Sequence, residues 1–415
     1  MRKFVACLAL MCSLVAVAQQ KNFSYKFYGQ IRTDLFYNSR SNAELVDGLF
    51  HMYPLDVRPD ANGNDLNDNP EGNFYTMYTR LGLDVTGPEI GKGVKTAAKV
   101  EVDFRGGGTT FYVIRLRQAY FRLAYKDVSL LMGQAWHPFF GDVSPQVLNL
   151  NTGAPFQPFS RAPQVAFTYA SPVDLRVKLT ALWQSQYSSV GPKSNVTGET
   201  GYMKSYNFLK HGCVPEFALN LDYERNGFLV GVGMDLLSIV PRREAQLKDK
   251  IYKVDERITT VSAEAHLRWK NDNWFVAAKT VLGQNFTQGC GVGGYAITGI
   301  DPKNGSQTYA PVKVSSSWLN VVYGKKWRPG LFLGYLKNHG TDEPVLGVLG
   351  TGVGEGLDKV ATASAELSYN LPHWRFGVEY TFTRAWYGDL GEEAKPVSLH
   401  SLDNHRFLFM AQFQF

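Results

Sequence analysis

The chain has 415 residues, a formal charge of +6, 13% aromatic residues and 40 glycines. The weak cationic excess selects no polyanionic partner, nucleic acid included, and nothing after residue 18 has the length and apolarity of a membrane-spanning helix. Any insertion into a bilayer must then be through a closed sheet, which satisfies its backbone polar groups internally.

Residues 1–18 read as a secretory leader. Arg2-Lys3 forms the basic start, Phe4 to Val15 the apolar stretch, and Ala16-Val17-Ala18 the small-residue cleavage site. Gln19 follows where a lipoprotein would place Cys, so export as a free protein is expected. The mature chain keeps 397 residues (415 − 18) and a charge of +4, from 41 cations against 37 acids. Cys213 and Cys290 remain; an oxidising compartment permits a bridge between them, but two widely spaced cysteines do not require one.

From Tyr25 to Tyr37 the residues alternate with period 2. Phe27, Ile31, Leu35 and Tyr37 share one face, and Lys26, Gln30, Arg32 and Asp34 the other. A polar segment, 38–72, lacks the spacing of a calcium loop and reads as surface. Phe74–Thr86 sets Leu81, Leu83 and Val85 against Arg80 and Asp84; Val94–Phe104 sets Val100, Val102 and Phe104 against Lys99, Glu101 and Asp103. The glycine run 106–108 has no helix after it to bind phosphate. In the next strand Arg115 and Arg117 alternate with Ile114, Leu116 and Tyr120, before the turn Lys126-Asp127 and a return strand to Trp136.

An irregular, proline-rich segment runs from Pro138 to about Arg161. Hairpins then follow over 164–184, 215–237, 259–283, 316–336 and 362–386, separated by long polar loops, one with an N-x-T site at Asn195. Arg176 and Lys178 oppose Leu175, Val177, Leu179 and Trp183. The turns are Ser171-Pro172, Glu224–Gly227, Lys270–Asn273, Arg328-Pro329-Gly330 and Leu371–His373, and Arg406–Phe415 is the last strand. About 16 strands with short turns and long loops in strict alternation predict an all-β, antiparallel transmembrane barrel over 19–415, with short periplasmic turns and long extracellular loops. The alternating Phe407, Phe409, Phe413 and Phe415 suit a terminal strand read by the outer-membrane assembly machinery. Lipid and lipopolysaccharide are the expected surroundings of such a barrel.

The polar faces name the candidate lumen lining: Arg32, Arg80, Lys99, Glu101, Asp103, Arg105, Arg115, Arg117, Arg176 and Lys178. Two arrangements fit this mixture. Cations on one wall could face acids on the other and orient solutes, or neighbours could pair across adjacent strands and stiffen the wall. The segment 138–162 is too long for a hairpin tip, and its phenylalanines need an apolar seat. It is expected to fold inward as a constriction, with Phe139, Asp142 (its one acid) and Arg161 as the residues of interest.

The runs RLGLDVTGP, VKTAAKVEVDF, IRLRQAYFRL and SLLMGQAWHPFFGDVSP, within residues 78–165, resemble the DcaP-like porins, which are trimeric sixteen-stranded outer-membrane channels. The resemblance implies a homotrimer, a third loop that narrows the pore, and arginines near it that attract small carboxylates, here Arg115 and Arg117 beside Asp142. Residues 19–24 carry no heptad pattern for the N-terminal coiled coil found in some members, and the mixed lumen charge does not by itself fix an anion preference.

The expected activity is passive diffusion of small polar or anionic solutes, with no cofactor, metal or enzymatic site. A lipid-facing hydrolase would need a Ser/His pair with a third polar partner, and none of the eight histidines lies beside a serine in an outward strand position with an identifiable third polar partner. A non-conducting barrel that acts as receptor, adhesin or assembly subunit is the alternative.

Overall fold

The computed structural model describes residues 23–46, 48–76, 78–105, 113–193 and 201–415, with the side chains of Arg105 and Val348 left out. The leader, the glycine run 106–108 and the Asn195 site lie outside the described residues. Sixteen staves form the barrel. The first eight are β1 (Ser24–Asn38), β2 (Glu71–Tyr75 continued by Arg80–Ile90), β3 (Val94–Arg105), β4 (Val113–Tyr125), β5 (Val128–Trp136), β6 (Arg161–Ala170), β7 (Leu175–Leu182) and β8 (Glu216–Arg225). The others are β9 (Phe228–Ile239), β10 (Ile258–Lys270), β11 (Trp274–Gln284), β12 (Lys313–Tyr323), β13 (Trp327–Gly340), β14 (Leu357–Asn370), β15 (Trp374–Leu390) and β16 (Pro396–Gln414).

Each stave pairs antiparallel with the next, and β1 closes the ring by pairing with β2 on one edge and β16 on the other. The seam runs from Gln30 opposite Gln414 to Asn38 opposite Arg406. Closure leaves no sheet edge to aggregate. The alternation behaves as a barrel wall requires: Phe27, Ile31 and Leu35 point out while Arg32 and Asp34 are buried inside. Trp274 meets Tyr323, and Trp327 meets Tyr369, at ring distances of 4.6 Å beside the short turns. These are the amphipathic rings of an interfacial girdle.

Three details depart from the sequence reading. A bulge opposite Glu101 and Val102 lets Arg117 and Gln118 face the same partner, which flips the pattern beyond it. Tyr120 therefore sits opposite Lys99 on the inner side, and Phe121 takes the outer face. Arg328-Pro329-Gly330 belong to β13, paired with β12 and β14, because the turn falls earlier, at Gly324 with φ of 91°. Only glycine adopts that geometry at little cost, and a Cβ there would come within 2.3 Å of the Trp327 carbonyl. The last strand begins ten residues early, since β15 and β16 stay paired well above the apolar band.

The long loops are also structured. The reading of 38–72 as surface holds for the Asp60 turn but not for Phe50–Pro54, which pairs with Asn42–Leu45 and is buried. Leu49, Phe50, Met52 and Tyr53 pack with Val143, Phe156 and Phe159 and with inner-wall residues Trp318 and Phe332. The mouth of the barrel thus carries an apolar core built from loops. Cys213 is exposed and Cys290 buried, and the two thiols are not bridged.

Candidate lumen and crossing segment

The inner wall of β1–β4 is a paired network. Arg115 grips Asp103 through Nε and Nη2 at 2.8 and 2.6 Å. Arg117 donates from Nε to Glu101 at 2.7 Å and from Nη1 to Asp103 at 2.6 Å. Glu101 also accepts from the Tyr28 hydroxyl, at 3.0 Å, and that hydroxyl accepts from Lys99, whose ammonium lies 2.8 Å from Asp84. Arg32 holds Asp34 at 2.6 Å, and Arg80 donates to the Tyr78 hydroxyl at 2.7 Å. Of the two arrangements open from sequence, cross-strand pairing is the one adopted by Arg115 and Arg117. Arg105 ends β3, and its side chain lies outside the described residues.

Across the barrel, Arg176 binds Asp222 at 2.8 Å and reaches the Asp142 carboxylate of the crossing segment; Lys178 shares that face of β7. The segment after β5 hydrogen-bonds to side chains of β1, β10, β11, β12, β14 and β15. The Phe139 carbonyl accepts from Lys279 on β11 at 2.5 Å, and the Asp142 carbonyl from Arg268 on β10 at 3.1 Å. Gln146 donates its amide to Asn320, Leu148 to Glu366 and Asn149 to Glu379, at 2.8, 2.7 and 3.0 Å. Arg32 on β1 then takes the Leu148 carbonyl at 2.5 Å. The wall makes room for it with glycines: a Cβ on Gly377 would lie 2.5 Å from Leu148, and one on Gly334 2.5 Å from Phe156. The segment brings Phe139 against His137 and Phe286.

Among the described residues Arg161 has no carboxylate partner. It is fully buried between Trp136, Phe159 and Tyr187, with its carbon 4.7, 5.2 and 5.9 Å from the ring centroids. One nitrogen meets the Tyr187 hydroxyl at 3.3 Å, while Nε and Nη1 are unpartnered. Tyr187 and Arg115 border a cavity of about 220 Å³ that also touches Lys204 and Cys290. Burial holds the Cys290 thiol up at about 12, so it is inert. The cationic groups that border this recess are those of Arg115 and Lys204, which suits a small anion.

Sequence reasoning missed three groups. Tyr78, in the break of β2, gathers Arg32, Arg80 and Arg117 around its ring at 5.4, 5.0 and 5.8 Å. Tyr187 is a loop residue with no period to find it by, and Glu366, opposite Glu379, is an inner-wall strand residue whose hold on the Leu148 amide exists only in the closed sheet. On the outer rim, Ser315 and His339 meet at 2.8 Å. Register causes this: the β12–β13 pairing shifts between Lys313 and Val314. Among the described residues no acid or amide orients the other ring nitrogen of His339.

A closed antiparallel barrel with an apolar outer face and a charged interior is a membrane-spanning, porin-like barrel of an outer membrane. Its fold is similar to that of the outer membrane channel DcaP of Acinetobacter baumannii, with a TM-score of 0.65 at 18% identity, over 96% of this chain and 99% of that one. It is also similar to OmpT, an outer membrane protein of Vibrio cholerae, with a TM-score of 0.55 at 11% identity, over 95% and 98% of the two chains. A trimer form of OmpT gives 0.53 at 11% identity, over 95% and 100%. No protein-family model and no curated protein matches the sequence.

Proposed function

We propose that this chain is a diffusion channel, narrowed by segment 138–162, for small polar solutes and especially small carboxylates. The observation that carries the reading is the cavity of about 220 Å³ bordered by the cations Arg115 and Lys204 and by Tyr187, whose hydroxyl also meets the buried guanidinium of Arg161. A carboxylate entering there would meet the cationic groups of Arg115 and Lys204. Asp142, Phe139 and the wall residues Arg32 to Lys178 shape the passage, while Arg115 and Arg117 act mainly through the acids they hold. The resemblance to DcaP-like porins and the trimer form of OmpT support a homotrimer. In this reading the leader exports the chain across a Gram-negative envelope, Phe415 is read by the assembly machinery, and lipopolysaccharide surrounds the outer rim. The chain is not an enzyme, and Ser315–His339 is a cross-strand polar contact.

Planar-bilayer conductance of refolded protein tests the proposal. Openings in steps of three, with a reversal potential of anionic sign in a salt gradient, are the expected result, and Arg161→Gln shifts that sign toward cations. The apolar core at the mouth favours a second reading, a closed barrel serving as receptor, adhesin or assembly subunit. Folded barrels that pass no current would establish that reading and remove the first.

A further inference from the structure

Behind the crossing segment lies a cluster that the channel reading does not use. His137 follows β5, Glu216 opens β8, and Asp235 sits on β9. The three side chains are buried, and one ring nitrogen and one oxygen of each carboxylate lie within 4.8 Å of one another. Glu216 is 0% exposed and Asp235 2%. Among the described residues their ion pairs run to His137 alone, at 2.9 and 3.8 Å. The nearby Lys279 spends its protons elsewhere, on Glu264 at 3.1 Å and on the carbonyls of Phe139 and Phe140 at 2.5 and 3.2 Å.

The hydrogen bonds fix what this cluster can bind. The Phe139 amide donates to Nδ1 of His137 at 3.1 Å, so Nδ1 offers its lone pair there and the ring proton stays on Nε2. Nε2 then donates to Glu216 Oε1 and has no lone pair for a metal. That excludes an imidazole-ligated transition metal and leaves oxygen donors. Glu216 Oε2 and Asp235 Oδ2 are buried and unpartnered. So is Oε1 of Gln288, a separate residue, 1% exposed, whose Nε2 lies 3.3 Å from Glu216 Oε1. One oxygen each of Glu216 and Asp235 lie within 4.8 Å of each other, and two oxygens each about 2.4 Å from one ion are at most about 4.8 Å apart, which is the reach of calcium.

We infer that Glu216, Asp235 and Gln288 form a structural site for a hard divalent cation of the calcium class, with His137 orienting Glu216. Water completes the oxygen shell. The site ties both ends of the crossing segment to the wall: His137 begins it, and the Phe159 amide near its end donates to the carbonyl of Gly289, next to Gln288, at 2.8 Å. The one competing account is a single proton shared by the two carboxylates.

Elemental analysis of protein refolded without lipopolysaccharide, dialysed against calcium and then against buffer, separates the two. About one calcium per chain is expected, lost on chelation together with resistance of the barrel to heat. Glu216→Gln and Asp235→Asn should each weaken calcium binding at least ~10-fold, whereas Asp60→Asn, in the exposed acidic loop, should leave it unchanged. Absence of stoichiometric calcium from wild-type protein overturns the site, as does retention of calcium in both cluster variants. Asp235→Asn protein that is as stable as wild type, and indifferent to chelation, would identify the shared proton instead. Should the variants fail to fold, calcium titration of the heat stability of wild-type protein decides, and a flat response overturns the site.

Discussion

Arg32, Arg80, Arg117 and Arg161 crowd the wall near Tyr78 and Trp136, with Arg115 beside Asp103, and their charges are met in different ways. Arg115 and Arg117 are neutralised by Glu101 and Asp103, Arg32 by Asp34, and Arg161 by aromatic faces alone. Because breaking a buried pair strands a charge, Asp103→Asn should cost about 3–5 kcal/mol, read by denaturant unfolding of the folded barrel. A second residue-scale prediction concerns the loop hairpin. Asn404 and Arg406 bond Oδ1 of Asn38, which turns its Nδ2 to His51 Nδ1 at 3.1 Å. Glu44, 3.2 Å from that same nitrogen, must then bring a proton of its own. Burial, with Glu71 adding, pushes the Glu44 carboxyl up to about 7 against the pull of Arg406, and burial with Arg406 holds His51 well below its usual range. A raised carboxyl stabilises the fold fully below its unfolded value of 4.5 and loses that contribution as pH rises through about 7. Hydrogen exchange over 42–54 should quicken across that window, by on the order of 1 kcal/mol after discounting the carboxylate's exposure. Glu44→Gln should remove this loss while leaving the acid-side loss that His51 imposes.

At the scale of elements, the crossing segment is held by its backbone groups as well as by the Asp142–Arg176 pair. The Leu148 and Asn149 amides sit on Glu366 and Glu379, which are direct cross-strand neighbours, and Leu148 fills the space a Gly377 side chain would need. Gly377→Ala should therefore overpack the contact by about 1–3 kcal/mol and displace the segment. In single-channel recordings the expected sign is altered conductance with increased noise, and an unchanged trace would show that the segment does not border the current path. Replacing both Glu366 and Glu379 by Ala should free the segment and raise conductance. The position of this anchor was not legible beforehand. A proline-rich run announces that it needs a seat, but the carboxylates that provide it lie more than 200 residues on.

For the whole molecule, the decisive feature is the seam. Gly29 and Phe415 exchange two backbone hydrogen bonds, at 2.8 and 3.0 Å, where the first and last staves meet. Deleting Phe415 removes both and bares the start of β1. The assembled fraction in membranes should fall, read as loss of the heat-modifiable band, while β structure refolded in detergent persists. A normal assembled fraction would show that the terminal ring is not needed for closure.

The sequence by itself determined the class of fold, because a period of 2 with one apolar face per strand is written locally. The Phe27/Ile31/Leu35 face, the Asn-Gly turn at 226–227 and the alternating terminal phenylalanines each state their role within a dozen residues. Opposite that apolar face, Arg32, Glu101, Asp103, Arg115 and Arg117 are buried. What only the tertiary structure decided is which charges remain unpaired. Asp103 neutralises Arg115 across a register that contains a bulge, and that bulge turned Tyr120 inward. Arg161 lost its partners to an aromatic box whose walls come from β5, the crossing segment and a distant loop. Side-chain direction along a strand is a local property, whereas charge compensation depends on distance through space, and that distance is fixed only once the sheet has closed.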